Sequence, residues 1–189
     1  MIKNVKPIFV VLVFSSLISF SFDERNTSAE NLALGDKAPE LVFGDNKQVL
    51  NLQNPTGDYT LLSFWASYDA VSRMENAKMD HLLQNSARVK MVSISFDSYQ
   101  SVYQAAIKQD RISSSNCHWE MEGENSAIFK SYDLKDGFQN YLLDKDGVIV
   151  AKNLTSDDLV SYLNWFSKKT KNETFEYNKK MMKLQVGNR

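Results

Sequence analysis

The stretch FWASYDAVSRMEN, residues 64–76, places a carboxylate and a hydroxyl three positions apart, at Asp69 and Ser72. An apolar run ends here and a helical pattern begins. In that setting Asp69 could act as a general base and Ser72 as a nucleophile, which is the chemistry of a hydrolase. No histidine stands at a spacing that would complete such a site.

Asp69 also has a structural interpretation. Asp is among the preferred helix N-cap residues, because its carboxylate accepts hydrogen bonds from the backbone N–H groups that the first helical turn leaves unpaired. Such a cap contributes about 1 kcal/mol. A carboxylate that accepts those bonds is a weak base. We therefore expect Asp69 to cap a helix, and we assign no catalytic residue.

Cys117 is the single cysteine of the chain, and His118 follows it. One cysteine excludes an intramolecular disulfide and a thiolate-rich zinc site. Two interpretations remain open. Cys117 is either a lone reactive thiol, with His118 lowering its pKa, or a small, inert, buried side chain. The inert interpretation is favoured, because adjacent residues of a strand point to opposite faces of the sheet.

Composition narrows the function classes further. The chain has 189 residues, of which 43% are hydrophobic, and this is enough for one domain with extensions. Its formal net charge of −1 gives no general attraction to nucleic acid. The two histidines, His81 and His118, supply few nitrogen ligands for a transition metal. We expect no metal, no other cofactor and no nucleic-acid partner.

The N-terminus has the pattern of an export signal. Lys3 and Lys6 precede an apolar run over residues 8–20, and the small residues Ser19 and Ser21 suit a signal peptidase. We predict a signal peptide over 1–21 and a polar linker over 22–33. The alternative is an uncleaved membrane anchor, although the apolar run is shorter than the roughly 20 residues that cross a bilayer. The expected location is the periplasm or cell envelope.

The rest of the chain alternates between strand and helix patterns. Strands are predicted at 59–67, 89–97 and 117–122, and two more flank the turn Lys145-Asp146-Gly147. Helices are predicted at 70–86, 98–111, 125–134 and 156–170. Strands separated by helices indicate a mainly parallel sheet covered on both faces.

The spacing of residues supports two of these helices. In the segment 70–86, five residues recur at helical spacing and three of them are apolar: Val71, Met74, Lys78, Leu82 and Asn85. In the segment 98–111, Val102, Ala105 and Ala106 fall on one face of a helix, with Gln109 as a further candidate.

Two segments resemble the thioredoxin-like thiol-disulfide oxidoreductases of the bacterial envelope, the TlpA/ResA-like group. They are LGDKAPELVFGDNKQVLNLQNPTGDYTLLSFWAS at 34–67 and YDLKDGFQNYLLDKDGVIVAKN at 132–153. The resemblance implies a thioredoxin-like α/β fold over 34–170, with a central mixed sheet, helices on both faces and an N-terminal β-hairpin extension. It leaves 171–189 as a C-terminal tail.

The resemblance fails at the residues that perform thiol-disulfide exchange. After Phe-Trp-Ala-Ser the family has Trp-Cys-x-Pro-Cys, and here these positions are Tyr68, Asp69, Ala70, Val71 and Ser72. The CxxC motif is thus degenerate, with a carboxylate and a hydroxyl that cannot form a mixed disulfide.

The family's cis-Pro position is Phe138. A non-proline cis bond costs roughly 3–4 kcal/mol, so we expect a trans peptide there. The nearby Arg73 and Glu75 match the family's Arg-x-Glu, and taken alone they are typical of solvated helix residues.

Aromatic residues are predicted to gather where the strands end, which is the edge where α/β folds bind ligands. Phe64, Trp65 and Phe96 are assigned to the core. Tyr68 and Phe138 are the two expected to be exposed and to bind a protein or peptide partner.

The tail has two interpretations. Phe175, Met181, Met182 and Leu184 could form an apolar stripe on a helix that docks on the domain, or the tail could be a solvated end.

Two functions therefore remain. The favoured one is an exported, non-catalytic binding or accessory module of the cell envelope. The alternative is a thioredoxin-superfamily oxidoreductase that works through Cys117 alone.

Overall fold

A computed structural model describes residues 32–43, 48–52, 58–166 and 168 of the chain. The predicted signal peptide, most of the predicted linker and the predicted C-terminal tail lie outside these residues.

Two sheets form the β structure. A small antiparallel hairpin pairs β1, Leu41–Phe43, with β2, Gln48–Leu50. The central strands are β3 (Tyr59–Trp65), β4 (Val89–Ser95), β5 (Cys117–Trp119), β6 (Asn140–Asp144) and β7 (Ile149–Lys152). Their spatial order is β5-β4-β3-β6-β7.

The central sheet is mixed. β3 pairs with β4 and β4 with β5 in parallel, whereas β3 pairs with β6 and β6 with β7 in antiparallel fashion. The prediction of a mainly parallel sheet was therefore wrong, and the mixed sheet implied by the resemblance is confirmed. The turn at residues 145–147, where Gly147 has φ +80, reverses the chain and accounts for the antiparallel β6–β7 pair.

The helices are α1 (Ala70–Leu83), α2 (Gln100–Asp110), α3 (Ala127–Ser131) and α4 (156–166), with short 3-10 turns at Ser114–Asn116, Gly123–Asn125 and Leu134–Asp136. The helices predicted at 70–86, 98–111 and 125–134 are present but shorter than their patterns suggested, and the described residues of the helix predicted at 156–170 are helical. Within the described part of the chain, no helix combines the length and apolar content that crossing a membrane requires.

Two apolar layers cover the two faces of the sheet. Leu62 and Phe64 of β3 belong to the layer that α3 and the hairpin close. Leu61 belongs to the opposite layer, together with residues of α1 and α4. Neighbouring residues of β3 thus enter different cores, and this explains why the strand is an unbroken apolar run in sequence.

The chain before β1 is fastened to the far edge of the sheet. The N–H of Gly35 donates to the carbonyl of Ile149, and the N–H of Ile149 donates to the carbonyl of Asp36, each at 2.9 Å. Leu32, which the sequence placed in the linker, is buried in the core. The packed domain therefore includes residues of the predicted linker.

The buried face of α1 does not contain the apolar residues that recur at helical spacing in the sequence. Asn76, Met79, Asp80 and Leu83 are the buried residues of this helix, whereas Val71 is 70% exposed. Met74 and Leu82 are exposed as well. Two of the four buried residues are polar, so apolar spacing alone does not identify the buried face.

The two buried polar residues of α1 have partners that the sequence does not reveal. The Ser93 hydroxyl donates to Asn76 Oδ1 at 2.8 Å. The Ser113 N–H donates to Asp80 Oδ2 at 3.0 Å. Because burial of a polar group costs less when it is hydrogen-bonded, these contacts help the more polar face to pack inward. Asn76 Nδ2 has no hydrogen-bond partner among the described residues.

Most of α2 is exposed. Within Gln100–Asp110 only Ala106 is buried, and Val102 and Ala105 are exposed. An ion pair also connects this helix to α1, with Arg73 Nε 2.7 Å from Asp110 Oδ2.

Glu75 connects α1 to the start of α4, because its Oε2 accepts a 2.8 Å hydrogen bond from the Ser156 N–H. Together with Arg73 it connects α1 to α2 and to the start of α4. The interpretation of both as merely solvated residues was wrong.

Two methionines of α1 provide a matched test of this packing. Met79→Ala should lower the free energy of unfolding by about 2–5 kcal/mol, because Met79 is fully buried. Met74→Ala on the outer face should change it by less than about 1 kcal/mol. Urea denaturation measures both values. Equal losses would show that the assigned face is incorrect.

Candidate functional site

The turn between β3 and α1 contains the residues that stand in place of the family's thiol pair. The Asp69 N–H donates to the Ala66 carbonyl at 3.1 Å, which closes the turn. Asp69 Oδ1 accepts hydrogen bonds from the N–H groups of Val71 at 3.1 Å and Ser72 at 3.0 Å. Asp69 is therefore the N-cap of α1, and its carboxylate satisfies two backbone donors of the first turn.

The proposed base and nucleophile are not arranged for catalysis. The Ser72 hydroxyl donates to the backbone carbonyl of Asp69 at 3.3 Å, not to its carboxylate. General-base activation requires the hydroxyl proton to lie within reach of the base. Asp69 and Ser72 thus act as local helix-start contacts in this geometry.

A second carboxylate, that of Asp97, holds this turn against the sheet. Asp97 is 1% exposed. Its Oδ1 accepts from the Ser67 N–H at 2.8 Å and from the Ser67 hydroxyl at 2.5 Å, and its Oδ2 accepts from the Ser95 hydroxyl at 2.8 Å. Trp119 Nε1 donates to the Asp97 carbonyl at 2.7 Å.

Asp97 therefore joins the ends of three strands. Sequence reasoning ended a strand at this residue but gave it no role. The sequence does contain one indication of this role. Asp97 is an acidic residue that directly follows an apolar strand, where its carboxylate can bind the neighbouring loops.

The aromatic residues form a connected row from the surface into the core. Tyr68 is 63% exposed, and its ring centroid lies 6.2 Å from that of Phe138. Phe138 stacks on buried Phe96 with centroids 5.7 Å apart. Phe138 is half-buried and packs on the core, so the expectation that it is exposed was wrong.

Phe64, Trp65 and Phe96 are buried, as predicted. Trp65 Nε1 donates to the Ser93 hydroxyl at 2.8 Å, which satisfies its polar atom inside the fold.

The loop at the family's cis-Pro position is built differently here. Peptide bonds of the described residues are all trans, including the one before Phe138, as expected. Gly137 adopts φ 132, a conformation that favours glycine. The loop is anchored to β3 by a 3.1 Å hydrogen bond from the Phe64 N–H to the Gln139 carbonyl.

Cys117 lies away from the start of α1. In β5 it is paired with Ser93, and it lines a groove of about 290 Å³ with residues of the last turns of α1, among them Asp80 and Leu83. Its Sγ donates to the Ser113 carbonyl at 3.1 Å. Burial raises the pKa of the thiol from 9.0 to about 11, despite an opposing hydrogen bond with Ser93.

His118 does not activate Cys117. Its ring stacks on Phe43 of the hairpin, with centroids 5.2 Å apart, on the other face of β5. Burial lowers the pKa of His118, so its neutral form is favoured at physiological pH. Among the described residues, no group of three His, Cys, Asp or Glu side chains could hold a metal ion.

The sheet order, the helix that starts after β3 and the loop that precedes β6 define a thioredoxin-like domain without a thiol pair. A thioredoxin-like protein from Parabacteroides distasonis is 36% identical, with a TM-score of 0.63, over 72% of this chain and 98% of that chain. The chain therefore belongs to the thioredoxin-like thiol-disulfide oxidoreductase family, which confirms the resemblance.

Two further solved structures are similar at lower identity. The thioredoxin domain of a thiol-disulfide oxidoreductase from Bacteroides vulgatus is 25% identical, with a TM-score of 0.58, over 72% of this chain and 99% of that chain. A thiol:disulfide interchange protein from a Bacteroides species is 25% identical, with a TM-score of 0.58, over 71% and 90%. No protein-family model and no curated protein matches the sequence.

The raised pKa of Cys117 predicts slow alkylation of the folded protein. A shift from 9.0 to about 11 leaves about a hundredfold less thiolate at pH 8. Iodoacetamide labelling, followed by mass spectrometry, should therefore be far slower in native buffer than in urea. Equal labelling rates in native buffer and in urea would mean that the thiol is open and reactive.

The same pKa shift makes the stability of the protein depend on pH. Because the pKa of Cys117 is higher in the folded protein than in the unfolded chain, its contribution to stability is complete below about pH 9 and is lost as the pH rises towards 11.

Proposed function

We propose that this is an exported, non-catalytic thioredoxin-like protein that serves as a binding or accessory module in the cell envelope. The observation that carries the proposal is the geometry of Asp69. Where the family has its attacking sulfur, this chain has a carboxylate that caps α1 through Val71 and Ser72.

Exchange chemistry needs a sulfur nucleophile at this place. A thiolate attacks a disulfide, forms a mixed disulfide and is then released by a second thiol. Asp69 and Ser72 supply neither the attacking nor the resolving sulfur. The adjacent cis-Pro position is also replaced, by Phe138, so the features lost all belong to the same reaction.

Cys117 gives little support to the alternative of a single-thiol oxidoreductase. Its pKa is raised by burial, which is the opposite of the lowered pKa of reactive cysteines at helix N-termini. It also lies beside the last turns of α1 and not beside the first.

The surface around Tyr68 supports a binding role. Exposed aromatic side chains are enriched at protein interfaces because they bury a large area with few rotatable bonds. The Tyr68 ring is supported from below by Phe138, which itself rests on Phe96. A protein or peptide segment is the class of partner that suits the rigid, shallow surface around Tyr68.

Export is supported by sequence. The pattern of Lys3, Lys6 and the apolar run over residues 8–20 is that of a signal peptide. The periplasm or cell envelope is the location that follows from it.

A crosslinking pull-down from the native envelope tests the proposed surface. Tyr68→Ala should lower recovery of the bound partner by about tenfold, the effect of losing one interface anchor. Phe138→Leu should weaken recovery with less risk to the fold, because it keeps an apolar contact with Phe96. Val49→Ala, at an exposed apolar residue of the hairpin, is the matched control and should leave recovery unchanged. Equal recovery with all variants would place the binding surface elsewhere.

A further inference from the structure

Exposed apolar side chains follow the ends of all three parallel strands. Tyr68 and Val71 come after β3, Tyr99 comes after β4, and Met121 comes after β5. Their exposed fractions are 63%, 70%, 71% and 63%. Because these strands are parallel and end at one edge of the sheet, the four residues lie around that edge, and together they are here called the edge patch.

Several exposed acidic residues lie close to the edge patch in the chain. Glu122 and Glu124 are exposed beside Met121, and Asp136 is exposed in the turn before Phe138. Lys135 of the same turn is paired with Asp133 at 3.3 Å. Burial, and then the charges of Glu124, Asp97 and Asp69, raise the pKa of Tyr68, consistent with a negative local field.

A complementary segment occurs in the chain itself. Residues 169–189 carry six lysine or arginine residues against two glutamates, a net charge of +4, although the whole chain has −1. The same segment contains four large apolar residues at 175, 181, 182 and 184. It therefore combines the basic charge and the apolar side chains that the edge patch would accept.

The segment is long enough to reach the patch. Phe166 of α4 lies beside the first residue of β3, where its ring stacks on Tyr59 with centroids 4.3 Å apart. The patch lies beyond the last residue of the same strand, about 23 Å away for seven residues. Residues 169–189 span up to about 70 Å when extended, so the path around the domain is within reach.

We propose that residues 169–189 dock on the edge patch of the same molecule, as an internal ligand that a partner must displace. This inference rests on the proposed function, since it assigns an occupant to the same binding surface. Tethering makes even weak docking effective, because a linked segment is present at an effective concentration of order millimolar. The charged part of the contact should weaken with salt.

Site-specific photocrosslinking in the full-length protein tests the proposal. A benzophenone amino acid is placed at Val71, which is exposed and leaves the Asp69 cap and Tyr68 intact. The same group at Val49, exposed on β2, is the matched control. Illumination and mass spectrometry should show intramolecular crosslinks from position 71 to residues 169–189, about fivefold or more above those from position 49. The triple variant Lys179→Gln, Lys180→Gln, Lys183→Gln should reduce that yield.

Other results would overturn this inference. Equal yields from positions 71 and 49 would show a segment without a fixed docking place, and crosslinks found solely between molecules would assign the patch to a second copy. An unchanged yield in the triple lysine variant would remove the charge argument. These experiments use purified protein with no partner, so their failure leaves the binding function testable by the pull-down, and failure of the pull-down leaves the crosslinks interpretable.

Discussion

The first turn of α1 leaves backbone N–H groups that need an acceptor, and the Asp69 carboxylate provides it. In the thioredoxin-like family this position carries the sulfur that the helix end activates, as the resemblance implies. Here the same donors bind a fixed oxygen, at 3.1 Å and 3.0 Å from Val71 and Ser72. The feature that would lower a thiol pKa now stabilises a helix instead.

Asp97 fixes the ends of three strands at one edge of the sheet. Its buried carboxylate binds Ser67 and Ser95, and its carbonyl binds Trp119, so the ends of β3, β4 and β5 are held in one arrangement. A surface fixed in this way loses little conformational freedom when a partner binds. The domain thus has a preorganised edge of the sheet but lacks the two cysteine thiols that the resemblance implies for this position.

The sequence predicted the fold well, because its information was local and repeated. Apolar runs indicated the strands, and Gly147 indicated the hairpin turn. The sequence did not reveal which face of α1 is buried. There the deciding contacts are long-range: Asn76 with Ser93, and Asp80 with Ser113. No spacing rule contains such partners.

The candidate site was predictable in part for the same reason. The cap at Asp69 needs only its own helix, and sequence reasoning found it. The role of Asp97 depends on the 30-residue separation from Ser67, which sequence alone does not bridge. The half-buried state of Phe138 depends on its stacking with Phe96, and this was missed as well.

The helix start that would activate a thiol is present and the thiols are absent, and restoring the two thiols tests this most directly. In the variant Asp69→Cys, Ser72→Cys, with Cys117→Ser, the first new thiol should titrate below its ordinary value of about 8.5 and should reduce a model disulfide. The unmodified protein and Cys117→Ser alone should show no turnover. Turnover by the unmodified protein that Cys117→Ser abolishes would contradict the account, and so would a rebuilt pair whose thiol titrates at 8.5 or above.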